Sequence, residues 1–533
     1  MNKQNINRES DNSDMPGKSR SKLSRREVIK GLATLPVFGA FVYEVIKKNI
    51  YKKNKVDILA HLGLQSEKPT IVTKPEVINK GERIRLGIIG AGSRGMVLLR
   101  EAGFITSFDL AGKKKDDGVN LNSWLQLDSL NVVLTGVCEV FDDRAEAAID
   151  ASANTRESVA NSSKAPRARR YRTYHDLLAS KDIDAVIIAT PDHHHAQMTI
   201  DAVNAGKHVY CEKCMVRTEE EIYKVVDAVK KTGMVYQLGH QSRHSPTYAK
   251  AKELISKNIL GKISLIETTT NRNTQKGAWI RHLYPDGTPK PGSFESIDWK
   301  QWLGKSPYVP FSIDRYYSWT KWLTYGNGIW GQLFSHDFDA INGITGYGIP
   351  KTCITSGGVY FYKDNREIPD VFQAVYEYPD RGTTLMYSAT LSNSRHRGNV
   401  IMGHDATMEL GGTLKIKADL DSTRYKKEIE SGMINTSQPF VTISSSRRNV
   451  DGMTSASTKY YEDRGLVNVD IDGMQFDLTY LHIKDWLDVI RNGGETSCNI
   501  DKGFEEAVTI CMATKSYKEK RMVKWDSVKR QII

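Results

Sequence analysis

Gly90, Gly92 and Gly95 follow the apolar, β-branched run Arg85–Ile89 at G-x-G-x-x-G spacing, and Met96–Leu99 then opens a helix. Strand, glycine turn and helix together suit a pyrophosphate. One glycine makes the tight turn, one lets the backbone approach the anion, one lets helix and strand pack, and the helix N-terminus faces the charge. Ser93 and Arg94 lie in the same turn and join the candidate cofactor contacts. Glu139 closes the next apolar run, Val132–Cys138. A carboxylate at that strand end accepts hydrogen bonds from ribose hydroxyls and repels a 2′-phosphate, which favours NAD over NADP. The gap from Gly95 is about twice the usual ~20 residues, and the excess is assigned to an insertion over 103–129.

Two further strand ends carry reactive side chains. Asp184–Ala189 (DAVIIA) runs into Thr190-Pro191-Asp192-His193-His194-His195-Ala196, and Lys207–Cys211 runs into Glu212-Lys213-Cys214. Ligands of open α/β sheets sit outside the carboxyl ends of strands. Thr190, Pro191 and His193 are therefore expected beside the nicotinamide or its ribose, with His195 beginning a helix and Glu212 in the same neighbourhood. Consecutive histidines in one turn do not converge on one ion, and no ligand cluster accompanies them, so no metal is expected. Cys211 and Cys214 form a C-x-x-C without the second pair that a zinc site requires.

These motifs need a scaffold of buried strands alternating with helices. Val235–Leu238 adds a last strand, and His195–Gly206 and Thr218–Thr232 read as helices, the second with Glu219–Glu221 in its first turn. The pattern predicts a doubly wound parallel Rossmann sheet over 83–242. After His240 the pattern changes. Ile263–Thr270, Thr352–Tyr362, Val371–Tyr378 and Thr383–Thr390 are long β-rich runs, and two helices follow, one from about Leu478 and one over Gly503–Lys518. Residues 243–533 are thus expected to form an α+β domain with a large, open, mostly antiparallel sheet. The fold class is α/β.

The chain has 533 residues and a net charge of +12. Residues 1–55 hold 13 Lys and Arg against 5 Asp and Glu, which is +8 of that total. The remaining body is only mildly basic, so a nucleic-acid partner is not expected. The basic N-terminus has another use. Ser24-Arg25-Arg26-Glu27-Val28-Ile29-Lys30 precedes the apolar run Gly31–Tyr43. Paired arginines before a short apolar segment suggest the twin-arginine export route. Residues 1–46 read as a polar tail and export signal, and 47–82 as a tether. The apolar run is short for a spanning helix, which needs roughly 20 residues. No small-x-small cleavage site stands out after Phe41, which leaves anchoring by an uncleaved segment open. The expected location is the periplasm or cell envelope.

The sequence resembles the Gfo/Idh/MocA family, named for glucose–fructose oxidoreductase and inositol dehydrogenase. The resemblance rests on the glycine turn Gly90–Gly95, the TP-[ND]-x-x-HA segment Thr190–Ala196, AGKHVYCEK at Ala205–Lys213, and His336-x-x-Asp339. It spans roughly 83–520 and is strongest over 83–243. It implies a Rossmann domain followed by an α+β domain that serves substrate binding and oligomerisation, with the active site between them, and a homo-oligomer. It also implies that Lys213, which stands where the family has the lysine of E-K-P, is catalytic. A lysine there, beside an oxidised nicotinamide, has its ammonium form disfavoured and can take or return an alcohol proton. The family's proline is Cys214 here. In the family's D-x-x-x-H motif the histidine is His336 and the aspartate is replaced by Gln332, which can bind a hydroxyl but supplies no charge. His336 is the second catalytic candidate. Gln332, Asp339, Arg315 and Trp319 are candidate carbohydrate contacts, the last two from the aromatic stretch Ser293–Trp330. Two or three of Trp299, Trp302, Tyr316, Tyr317, Trp319, Trp322, Tyr325 and Trp330 are expected to face a cleft.

Three functions fit these residues. One is an exported NAD-dependent oxidoreductase acting on a sugar or glycoside with a tightly held cofactor. Another is a glycosidase that oxidises its sugar transiently, unlike the paired-carboxylate route. The third is a sugar-binding protein that uses NAD structurally. Export itself has a direct test. Replacing Arg25 and Arg26 together by lysine preserves charge but removes the guanidinium groups that the twin-arginine route reads. The double variant is expected to stay in the cytoplasm on fractionation, and normal export would show that another route operates.

Overall fold

Short, fully buried apolar runs set the first half of the molecule. In the computed structural model, β1 (Ile84–Ile89), β2 (Val132–Cys138), β3 (Arg169–Arg170), β4 (Ala185–Ile188), β5 (His208–Cys211) and β6 (Tyr236–Leu238) form one sheet in the order β3-β2-β1-β4-β5-β6. Every pairing in it is parallel. β4 is buried at every position, as a strand covered on both faces must be. The crossover helices are α1 (Ser93–Ala102) after β1, α2 (Asp142–Ser152) after β2, α3 (Asp192–Asn204) after β4 and α4 (Glu219–Thr232) after β5. This is the doubly wound order, with the switch point at β1 and β4. The structure describes residues 58–59, 61–62, 81, 83–112, 121–274, 277–395, 397–444, 468–471 and 474–533. The export signal, nearly all of the tether and the charged part of the 103–129 insertion lie outside these residues. Residues 58–62 include a helical turn in which Leu62 N–H donates to the Ile58 carbonyl at 2.9 Å. Among the described residues no helix is long and apolar enough to cross a membrane.

The second half is built on a ten-stranded sheet. Its strands are β7 (Ile263–Asn271), β8 (Thr352–Gly358), β9 (Val371–Tyr378), β10 (Thr383–Thr390), β11 (Asn399–Gly403), β12 (Ala406–Leu410), β13 (Thr413–Ala418), β14 (Val441–Ser444), β17 (Val523–Asp526) and β18 (Gln531–Ile532). They lie in the order β14-β13-β12-β11-β7-β10-β9-β8-β17-β18. Pairing is antiparallel except between β7 and β10. Burial alternates along β9 and β10, so one face of each strand is covered. A separate hairpin joins β15 (Asn468–Ile471) to β16 (Met474–Asp477). Against the expected Thr352–Tyr362, β8 stops at Gly358. Past it the Asp370 carboxylate collects the N–H groups of Tyr360, Phe361 and Tyr362 at 2.9, 2.8 and 2.7 Å, which turns the chain out of the ladder. α3 begins at Asp192 rather than His195, because Pro191 takes the N-cap and Asp192 the acidic first position.

A boundary at 242 leaves out one element of the first core. After the hairpin the chain forms α5 (Leu478–Asn492) and then α6 (Ile500–Glu519). α5 sets Leu478, Tyr480, Leu481, Ile483, Trp486 and Leu487 into the apolar cluster of β1, α1 and β4, with Leu86, Leu98 and Ile187. Trp486 is fully buried, its ring 5.8 Å from Tyr210 on β5. Trp486→Ala is therefore expected to lower stability by about 3–5 kcal/mol, the usual cost of deleting a buried aromatic ring. Denaturant unfolding checks this, and a loss below about 1 kcal/mol would mean that α5 only rests on the surface of the parallel sheet.

Candidate active site

The turn between β1 and α1 is made for close backbone approach. Gly90 has φ +89°, and a Cβ there would lie 2.8 Å from the Ala189 carbonyl oxygen. A Cβ on Gly95 would collide with the Gly90 carbonyl, so α1 rests directly on the turn. Gly92 caps α1, and the nearest atom to its missing Cβ is Arg144 Nη1 at 3.3 Å. Glu139 is buried beside this turn. Its Oε2 accepts Ala91 N–H at 2.6 Å, its Oε1 accepts Phe141 N–H at 2.9 Å, and the Tyr316 hydroxyl lies 3.5 Å from Oε1. Arg144 reaches over from α2 to the Tyr316 hydroxyl at 2.9 Å. A glycine turn, a carboxylate and a guanidinium together fit a dinucleotide's pyrophosphate and ribose.

From this turn one cavity of about 1840 Å³ runs to the ends of β4 and β5 and on to the aromatic stretch. Its volume exceeds the ~300–1,000 Å³ of an ordinary ligand site, enough for a dinucleotide and a second molecule. Gly90, Gly92, Ser93, Arg94, Glu139, Thr190, Pro191, His193, Glu212, Lys213, Trp319, Gln332 and His336 all line it. Arg94 and Glu212 pair at 2.7 Å, tying the first turn of α1 to the end of β5. Burial works against the Arg94 charge, but Glu212 outweighs it and the guanidinium is held above its ordinary range. Burial also lowers the pKa of His193, whose Nε2 lies 3.0 Å from the Trp302 carbonyl oxygen.

Lys213 stands at the centre of the catalytic candidates. Its Nζ donates to Gln332 Oε1 at 3.0 Å and to the Gln332 carbonyl at 3.2 Å. Gln332 Nε2 in turn donates to Asp192 Oδ2 at 2.7 Å, and Asn327 N–H meets the same oxygen at 3.1 Å. The carboxylate thereby fixes which way the amide points. Its NH2 faces Asp192, so its oxygen faces Lys213. Asp192 is 1% exposed, and burial raises its pKa despite His195 and Lys213 nearby. Its Oδ1 has no hydrogen-bond partner among the described residues. Sequence reasoning missed this residue. The charge absent at position 332 enters from α3, one hydrogen bond behind the amide. An acid at the first helical position after a buried strand was the available signal.

His336 follows Gln332 by four residues, across the π-helical turn Trp330–Phe334. Its ring meets His240 edge-on at 5.4 Å, and His240 Nε2 lies 2.8 Å from Glu506 Oε2, both buried. Three expected contacts lie elsewhere. Asp339 is off the cavity wall, where Arg243 Nε and Nη2 clasp its Oδ1 at 2.8 and 2.6 Å, so a buried ion pair takes it from a substrate. Arg315 is also off the wall, its guanidinium stacked 4.6 Å over Trp322. Of the Trp and Tyr side chains of Ser293–Trp330, Trp302, Tyr316, Tyr317 and Trp319 line the cavity, while Trp299 stacks behind Trp302 with centroids 4.4 Å apart.

His195 lies behind the wall rather than on it, at 1% exposure. Its Nδ1 is 2.6 Å from the Cys214 carbonyl oxygen and its Nε2 is 2.8 Å from the Thr190 carbonyl oxygen. A neutral imidazole has one N–H, so two carbonyl acceptors require the imidazolium. Burial disfavours that charge, but Cys211, Asp192 and the Cys214 carbonyl outweigh it and raise the pKa to about 10. His195 clamps the loop after β4 to the loop after β5, and with it the backbone that carries Lys213.

Residues 120–240 match the family model of the Gfo/Idh/MocA oxidoreductases, NAD-binding Rossmann fold. The chain is 32% identical over 131 residues to inositol 2-dehydrogenase of Salmonella paratyphi B, covering 24% of this chain and 35% of that one. It is 28% identical over 195 residues to levoglucosan dehydrogenase of Pseudarthrobacter phenanthrenivorans, covering 35% and 41%. The alignments thus span well under half of these relatives. Among solved structures, the WlbA dehydrogenase of Chromobacterium violaceum, in complex with NADH and UDP-GlcNAcA, superposes with TM-score 0.52 at 13% identity over 86% of this chain and 99% of that one. At that identity the likeness is one of fold, in both domains.

The clamp makes stability depend on pH. The pKa of His195 is raised on folding from the ordinary 6.5, so its stabilisation is complete below about pH 6.5 and is lost as pH rises through about 10. The wild-type chain is expected to lose denaturant stability between pH 7 and 10 more steeply than His195→Gln. Parallel curves for the two proteins would show that the imidazolium is not what joins the loops.

Proposed function

We propose that this protein is an NAD-dependent oxidoreductase acting on a sugar or glycoside, exported in folded form with its cofactor bound. The observation that supports it best is the single cavity joining the glycine turn to Lys213, Gln332 and His336. The names of the related inositol and levoglucosan dehydrogenases support a polyol or sugar substrate. Gly90, Gly92 and Ser93 would hold the pyrophosphate, Glu139 and Arg144 the adenosine ribose, and Thr190, Pro191 and His193 the nicotinamide end. When bound, the nicotinamide supplies the hydride acceptor. Lys213 would take the proton of the hydroxyl on the carbon being oxidised, while that carbon's hydrogen leaves as hydride to the nicotinamide, and His336 would hold a neighbouring hydroxyl. Gln332, fixed by Asp192, keeps the Lys213 amine aimed at the substrate. Trp319 offers an apolar face to the C–H side of a sugar ring. Arg25 and Arg26 support export, which would explain why a cofactor is carried rather than exchanged.

Mass analysis of the nucleotide released on denaturation should show NAD, whereas NADP alone would overturn the role of Glu139. Lys213→Ala is expected to retain bound dinucleotide and lose about 10²–10⁴ in turnover on a sugar that reduces it. Asp192→Asn should lower kcat with KM nearly unchanged, as befits a residue that positions Lys213 through Gln332 without touching substrate. Full turnover by Lys213→Ala would remove Lys213 from the chemistry.

A further inference from the structure

A short hairpin from the second half of the chain puts a cation into the cavity. Leu283 bridges Pro289, Tyr284 N–H donates to the Thr288 carbonyl at 2.8 Å, and Lys290 N–H donates to the His282 carbonyl at 2.8 Å. The hairpin is pinned at both feet. His282 Nδ1 lies 2.7 Å from Asp314 Oδ1, and the Tyr317 hydroxyl donates to the Pro291 carbonyl at 2.7 Å. The chain then pairs with the backbone just beyond Glu139. Asp142 N–H donates to the Ser296 carbonyl at 3.0 Å, and Asp298 N–H to the Val140 carbonyl at 2.9 Å. These bonds hold the segment that carries Lys290 against the end of β2.

Lys290 is partly buried and lines the cavity, its Nζ 5.3 Å from the ring centroid of Tyr317 and 5.9 Å from that of Tyr284. Arg144 Cζ lies 4.9 Å from the same Tyr317 centroid, and its Nη1 is 3.3 Å from the missing Cβ of Gly92. Two cations from different halves of the chain thus meet at one ring beside the glycine turn. The carboxylate that acts on Arg144 is Glu139, whose oxygens already take the Ala91 and Phe141 N–H groups. Lys290 has no ion pair among the described residues. Burial, Arg144 and Arg281 all push its pKa down, and no carboxylate opposes them. Like charges repel strongly where the dielectric is lowered. A dinucleotide's pyrophosphate brings two negative charges, and a lysine ammonium is a compact point charge suited to phosphate oxygens.

We propose that Lys290 is a cofactor-binding residue that, with Arg144, holds the pyrophosphate of the dinucleotide, so that both halves of the chain grip one cofactor and slow its release. The assignment rests on the dinucleotide reading of the glycine turn and is independent of the sugar.

The test loads the purified full chain with NADH and chases it with excess NAD, reading release from the fluorescence of bound NADH. Lys290→Met keeps an apolar stem on Tyr317 and removes the charge. It is expected to release NADH about tenfold or more faster, the worth of one charge-assisted hydrogen bond. Lys290→Arg should stay close to the wild-type rate, and added salt should speed release from wild type more than from Lys290→Met. Denaturant unfolding without added nucleotide should be the same for Lys290→Met and wild type, which separates a binding role from a structural one. Unchanged release by Lys290→Met overturns the proposal. Faster release that comes with lost stability also overturns it, as does faster release confined to NADPH in a parallel chase, which would move Lys290 to a 2′-phosphate. A wild-type chain that binds no NADH overturns it together with the dinucleotide reading.

Discussion

Much of the site hangs on one buried charge. His195 is held between two carbonyl oxygens, those of Thr190 and Cys214, that belong to loops after different strands. A parallel sheet places the carboxyl ends of β4 and β5 side by side but does not fix the loops that leave them. The imidazolium does so with two charge-assisted hydrogen bonds, and the loops carry the rest. One leads into Asp192 and His193, the other carries Glu212 and Lys213. The cost of burying the cation is offset by Cys211 and by Asp192, whose other contacts orient Gln332. The clamp and Lys213 thus draw on the same carboxylate.

Several features could be read before any coordinates. Buried strands such as Ala185–Ile188 announce themselves as short apolar runs, and the glycine turn lies between a strand and a helix. Lys213, Gln332 and His336 reach one cavity because each sits at a strand end or on one helical approach. Asp192 was harder to read. It looked like part of a loop passing the cofactor, and its value lies in a hydrogen bond to a residue 140 positions later. Asp339 misled for the converse reason. It sits one turn beyond His336, yet that turn is deep enough for Arg243 to claim its carboxylate. Strands β11 to β14 escaped because they are short, and β13 (TLKIKA) mixes lysines into its outward positions, as a half-covered strand does.

The replacement of a family aspartate by Gln332 looks like a loss of charge in the sequence. In the fold it is a displacement of charge. An aspartate at 332 would put its one carboxylate against Lys213 and beside that of Asp192, two like charges within one buried pocket. The amide separates them, accepting from the lysine on one side and donating to the acid on the other. Asp192 and Gln332 form a matched pair in which each residue makes the other tolerable.

The return of α5 to the parallel sheet has a consequence for biosynthesis. Gln237 on β6 donates its amide to the His482 carbonyl, 245 residues later in the chain, and to Asp485 Oδ2 at 2.8 Å. Until those residues leave the ribosome, the glycine-turn domain lacks Trp486 and its neighbours, and a face of β1 and β5 remains open to water. At about 5–20 residues per second, that wait lasts about 10–50 s. The first domain to be translated is therefore among the last to be finished, with part of its core left open for nearly half of synthesis.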